Sequence, residues 1–147
     1  DVAVTGVQTC VFRSHIDEQV FMLQAEVVER MVAQAGSSDF SRLSVMLQAR
    51  YDMELVLEVP PEAFKPAPKV NSAVVRMIPR KEFHLNSAQW SALEQVVAAA
   101  FSQRRKMLRT NLQPFASKLK LSEDELKARA QDISVDRYIE WAKLLAN

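Results

Sequence analysis

Two clusters of side chains in this 147-residue chain carry residue types and spacings that could do chemistry. The first comprises Phe64, Lys65, Lys69, Asn71 and Ser72, set among Pro60, Pro61, Pro66 and Pro68. Each proline fixes its own φ and pushes the residue before it out of the helical region, so the stretch reads as a stiff, extended loop. An aromatic ring held there loses little entropy when it offers its face to a flat ligand. A nucleobase taken out of its helix is such a ligand, and stacking on it is worth roughly 1–3 kcal/mol. The plainer alternative is that Phe64 packs on the core, as phenylalanine commonly does. The second cluster is Gln103-Arg104-Arg105-Lys106-Met107-Leu108-Arg109. From Phe101 to Ser122 there are six basic residues (Arg104, Arg105, Lys106, Arg109, Lys118 and Lys120) and no acid. A helix over about 103–112 would set Arg105 and Arg109 one turn apart and turn Met107, Leu108 and Leu112 inward. Such a face can lie along a phosphate backbone, a contact that is strong, salt-dependent and poor in sequence information. Its plainer alternative is a solvated basic surface.

Other chemistries find little support. Nineteen Lys and Arg against 18 Asp and Glu leave a net charge of +1, so the basic bias is local. Two glycines, Gly6 and Gly36, are a severe shortage against an average of about 7%. They stand too far apart for a P-loop or a G-x-G-x-x-G fingerprint. The single cysteine, Cys10, excludes an intramolecular disulfide and a cysteine-rich zinc site. His15 and His84 have no metal-ligand spacing and read as surface residues. Asp17, Glu18, Glu26 and Glu29 form no convincing acid/base pair, and no serine has a histidine partner at a recognisable spacing. No stretch approaches the ~18 apolar residues of a membrane span, and no signal peptide is evident. A soluble, cytoplasmic protein is expected.

The elements that must position these clusters fall into two parts. Residues 18–23 form a continuous apolar run that reads as a buried strand of a parallel sheet. A helix is expected over about 25–34 with Gly36 as its left-handed cap, and a second over about 40–50. Met53, Leu55, Leu57 and Val59 alternate as in a half-exposed strand, and Lys69–Ile78 returns as another. From residue 83 the pattern turns helical: Trp90, Leu93, Val97 and Phe101 share one face, Ser122–Glu125 reads as a capping box, and a last helix starts near Ser134. Residues 1–12 fit neither part. The run Val4–Cys10 looks like a translated sequencing-adapter oligonucleotide, with an ordinary edge strand as the alternative, so 1–12 is expected to be a non-native leader.

Four segments together carry a specific resemblance: Phe21–Arg30 (FMLQAEVVER), Arg42–Gln48 (RLSVMLQ), Val59–Arg76 (VPPEAFKPAPKVNSAVVR) and Ala100–Arg109 (AFSQRRKMLR). They resemble the ribosomal RNA small subunit adenine dimethyltransferase family. The resemblance implies transfer of methyl groups from S-adenosylmethionine to N6 of two adjacent adenines near the 3′ end of 16S rRNA, during small-subunit biogenesis. It also implies an α/β fold in which residues 13–82 are the last part of a doubly wound methyltransferase sheet. Residues 83–147 would be a small all-helical, rRNA-binding domain. Phe64 would stack on the flipped adenine. Lys65, Lys69, Asn71, Ser72, Arg104, Arg105, Lys106 and Arg109 would contact RNA, and the protein would act as a monomer without metal. Three family features are missing: the glycine-rich turn for S-adenosylmethionine, the acid for its ribose, and the Asn-Leu-Pro-Tyr motif that holds the adenine amine. Ala25 also stands where the family usually has Lys or Arg. The expectation is therefore a C-terminal portion of such an enzyme, inactive by itself. A non-catalytic RNA-binding or ribosome-assembly module is the alternative, and a transcription factor of the mitochondrial branch fits less well.

Overall fold

The computed structural model describes residues 17–82 and 84–147. Residues 1–12, with Gly6 and Cys10, and His15 lie outside the described residues.

The sheet follows from how apolar residues are shared between its faces. β1 (Gln19–Gln24), β2 (Tyr51–Val59) and β3 (Ser72–Pro79) pair in the order β1-β3-β2. β3 runs antiparallel to both neighbours, so β1 and β2 point the same way without touching. The expectation of a buried parallel strand at 18–23 is thus corrected. Two helices, α1 (Ala25–Val32) and α2 (Arg42–Gln48), join β1 to β2 and cover one face, burying Val28, Met31, Leu47, Tyr51, Ala73, Val75 and Met77. On the other face Val20 and Met22 remain 58% and 53% exposed, so a continuous apolar run here does not mean burial on both sides. β2 departs from strict alternation as well. A bulge between Leu55 and Leu57 inserts an unpaired residue, and both Val56 and Leu57 come out to the surface.

α1 does not end on a glycine cap. Ala33 is extended at φ −59°, ψ 143°, and the Gln48 side-chain amide instead donates to the Met31 and Ala33 carbonyls, both at 2.8 Å. Gly36 does hold a positive φ of +94°, but in the loop beyond, where its N–H donates to the Gln131 carbonyl at 2.7 Å.

The helical part opens with α3 (Ser87–Ala100), capped reciprocally by Asn86 and Gln89 at 2.8 and 2.9 Å. Then come the short helices α4 (Leu108–Asn111), α5 (Ala116–Leu119) and α6 (Glu123–Lys127), and the closing α7 (Val135–Ala146). Ser122 caps α6 by accepting from the Glu125 N–H at 3.1 Å, as its sequence pattern implies. The single helix expected over 103–112 is not formed. Residues 101–106 are turns, because the side chain of buried Asn111 donates to the Ala100 and Gln103 carbonyls at 2.9 Å each and folds the chain back on the end of α3. Met107 pairs its backbone with Arg129 and stays 45% exposed rather than turning inward, whereas Leu108 and Leu112 are buried as expected.

The two parts share one core. Phe40, Val45 and Ala49 from around α2 pack with Leu93, Val97, Leu108, Tyr138 and Trp141 of the helical part. Aromatic rings link them in sequence: Phe40 to Phe101 at 6.3 Å, Phe101 to Tyr138 at 6.0 Å, and Tyr138 edge-on to Trp141 at 5.2 Å. Burial pushes the Tyr138 phenol well above its ordinary value, so it stays neutral and donates to the Ala130 carbonyl at 2.7 Å. Arg50 adds a contact across the boundary, its guanidinium 3.7 Å from the centre of the Trp90 ring.

Candidate nucleic-acid interface

The proline-rich segment leaves β2 at Pro60, makes one 3₁₀ turn over Pro61–Ala63 and continues extended through Phe64 at φ −115°, ψ 152°. The Phe64 N–H donates to the Pro61 carbonyl at 3.2 Å, and the Lys65–Pro66 peptide is cis. At the far end the Asn71 carbonyl accepts from the N–H of Ala25 at 2.8 Å. The loop is therefore fastened at both ends, to the 3₁₀ turn and to the first residue of α1. Ser72 pairs with Gln24 of β1 and Val59 of β2, which sets the loop over the C-terminal end of β1.

Phe64 is half-buried and belongs to neither apolar core. Packing alone does not account for its place. Lys65, Lys69 and Asn71 are exposed around it, and Ser72 is half-buried at the first rung of β3. Val70, 49% exposed, is an apolar residue of the same loop that sequence reasoning did not single out. Ala25 lies beside the loop and supplies no charge there.

The basic cluster sits elsewhere. Arg104, Arg105, Lys106 and Arg109 are exposed in the turn after α3 and on α4. Arg104 is the exception in bonding. Its guanidinium donates to the Gln131 Oε1 at 3.2 Å, to the Phe40 carbonyl at 2.8 Å and to the Ser38 carbonyl. Those carbonyls belong to the loop that follows α1, whereas the Phe64 loop is tied to the start of the same helix. The Phe64 loop is thus fastened at the first residue of α1, and the basic turn is fastened to the loop that follows that helix.

A cleft of about 360 Å³ opens between the α/β part and the start of α7. Arg80 donates there to the Gln48 carbonyl at 2.9 Å and lies 3.9 Å from Asp52 and 3.5 Å from Asp136. None of the candidate residues lines it. Nor do the described residues fit S-adenosylmethionine. Gly36, the one glycine among them, has open space where a Cβ would stand, so it makes no close backbone cradle. Arg80 is already balanced by carboxylates. Among the described residues no group of His, Cys, Asp and Glu could hold a metal ion, and no helix is long and apolar enough to cross a membrane.

The family model described as ribosomal RNA adenine dimethylase matches residues 6–147. The ribosomal RNA small subunit methyltransferase A of Burkholderia mallei is 50% identical over 138 residues, covering 92% of this chain and 50% of that protein. Its counterpart from Burkholderia lata is 52% identical over 137 residues, with the same coverage. The chain thus spans about half the length of the curated relatives it matches. A crystal structure of a dimethyladenosine transferase from Plasmodium falciparum superposes with a TM-score of 0.77 at 21% identity, covering 95% of this chain and 60% of that one. The 23S rRNA methyltransferase ErmE superposes at 0.68, also at 21% identity, covering 99% and 62%. These two establish a methyltransferase-like α/β fold. With the family model spanning nearly all of it, the chain belongs to the ribosomal RNA adenine dimethylase family.

Proposed function

We propose that this chain is the base-presenting and RNA-gripping portion of an rRNA adenine N6-dimethyltransferase. Its substrate is two adjacent adenines near the 3′ end of 16S rRNA in the small ribosomal subunit, and it works in the cytoplasm as a monomer. The observation that carries the reading is Phe64: a half-buried ring on a proline-fixed loop, outside both cores, with its neighbours Lys65, Lys69 and Asn71 exposed. Methylation at N6 requires an exocyclic amine held in line and away from water. A stacked, extruded adenine meets the first need, and the loop over β1 forms one wall of the pocket that would meet the second. Arg105, Lys106 and Arg109 supply sequence-independent grip on the phosphates.

The donor, S-adenosylmethionine, is expected for the whole enzyme, but these residues do not form its site. The 147 residues by themselves are therefore read as binding RNA without transferring methyl groups, which is also what a ribosome-assembly module would do. Undermethylated small subunits with tritiated S-adenosylmethionine test both halves of the proposal. The expected result is salt-dependent binding, with a slope of log K against log salt of about −2 to −3 for three phosphate contacts, and no incorporation. Absent or salt-insensitive binding would overturn the RNA reading, and turnover by this chain alone would overturn its inactivity.

A further inference from the structure

The four basic residues of the 104–109 cluster differ in what their side chains do. Arg105, Lys106 and Arg109 are exposed, with no side-chain hydrogen bond or ion pair among the described residues. Arg104 is also exposed as a residue, yet its Nε and Nη2 donate to three acceptors from two distant segments. Building on the RNA-binding reading above, we propose that Arg104 is a positioning residue and not a phosphate ligand: it pins the basic turn to the Ser38–Phe40 loop and so fixes where Arg105, Lys106 and Arg109 point.

Three pieces of chain meet at this guanidinium. The loop after α1 brings the Ser38 and Phe40 carbonyls, the 3₁₀ turn Ala130–Asp132 brings Gln131, and the turn after α3 brings Arg104 itself. Two further contacts close the junction without Arg104: the Gly36 N–H on the Gln131 carbonyl at 2.7 Å, and the Phe40 ring 6.3 Å from Phe101. The Ser38–Phe40 loop lies outside helix and strand, and the Ser38 and Phe40 carbonyls gain a charge-assisted donor here. A phosphate that recruited the Nε and Nη2 donors would strip two carbonyls and an amide oxygen of their partner. The planar fork of arginine reaches all three at once. Lysine, a point charge on a flexible stem, keeps the charge but not that geometry.

Charge and geometry are therefore separable by substitution in the whole 147-residue chain. The measurements are salt titrations with a transcript of the 16S rRNA 3′ domain, and amide hydrogen exchange at Gly36 and at Val75 in the β3 ladder. Arg104→Lys and Arg104→Ala are both expected to speed Gly36 exchange roughly tenfold, the loss of about one charge-assisted bond, while Val75 stays unchanged. Both should weaken RNA binding by the same factor at every salt concentration, leaving the slope as in the parent chain. Arg105→Ala should flatten that slope by about 0.9 and leave Gly36 exchange alone. If Arg104→Lys binds like the parent while Arg104→Ala loses slope, Arg104 is a phosphate ligand and the proposal is wrong. Unchanged Gly36 exchange in Arg104→Ala would also overturn it. Should the parent chain bind no RNA, the RNA reading and the positioning role fall together, while the exchange data still report whether the junction depends on Arg104.

Discussion

Replacing Phe64 by leucine separates what the ring contributes to the fold from what it offers to a base. Most of Phe64 is out of water, so roughly 130–180 Å² of the ~200 Å² that a phenylalanine can bury is removed from solvent. At ~25 cal/mol per Å² that is about 3–4.5 kcal/mol as an upper bound, reduced because unfolded chains are themselves compact. Leucine keeps most of the bulk, so Phe64→Leu should cost under about 1 kcal/mol of stability. It removes the π face altogether. Losing a stack worth ~1–3 kcal/mol lowers affinity for RNA with an accessible adenine by roughly 5- to 150-fold. Phe64→Trp should retain or strengthen binding. The assay is fluorescence of 2-aminopurine placed at the target adenine, quenched when the base stacks, alongside thermal melts of each variant. A Phe64→Leu chain that melts normally and still quenches and binds as the parent does would refute the stacking role. So would losses in Leu and Trp variants that simply track their melting temperatures.

Three further outcomes follow from particular side chains. Gln19 is buried in β1 on the side of Phe21 and Leu23, and neither atom of its amide has a hydrogen-bond partner among the described residues. Gln19→Met is near in volume and should stabilise by ~1–3 kcal/mol, seen as a higher denaturation midpoint with unchanged m-value; an equal or lower midpoint contradicts this. Gly36→Ala should lose about 1–2 kcal/mol from backbone strain at φ +94° and not from a clash, since nothing lies within 4 Å of the added methyl; a neutral result contradicts it. The Arg137 guanidinium, bonded to the Glu125 carboxylate at 2.6 Å, holds that carboxyl below its ordinary 4.5. Because the folded value is the lower one, the stabilisation is complete above that ordinary value and fades as pH falls through and below it. Acid titration of stability should therefore be steeper in the parent than in Glu125→Gln over that range, and identical curves would contradict the pairing.

The amphipathic patterns and the Ser122 cap were legible in the sequence because they are local, whereas the cap expected at Gly36 is not formed. Ser122 caps α6 as Glu125, three residues on, implies. What could not be read depended on partners far along the chain. The run at 18–23 looks fully buried, but one face of β1 stays open because α1 and α2 cover only the other. The residues 103–112 have helical spacing, yet the Asn111 amide caps two carbonyls at the end of α3 and forces a turn first. Of the candidate site, the proline-rich segment forms a loop and Lys65, Lys69, Arg105, Lys106 and Arg109 are exposed, a placement that suits RNA contact and a solvated basic surface alike. The commitment of Arg104 to Ser38 and Phe40 left no local signal, since those partners are more than sixty residues away.

In the proposed complex the Phe64 loop meets a specific pair of adenines while the basic turn holds the surrounding RNA. A photoreactive phenylalanine analogue at position 64, cross-linked to undermethylated small subunits and mapped at nucleotide resolution, tests it most directly. Cross-links are expected at the two adjacent adenines near the 3′ end of 16S rRNA, weakened by Arg105→Ala and by added salt. Cross-links scattered over the RNA, or absent while the chain remains bound, would contradict it.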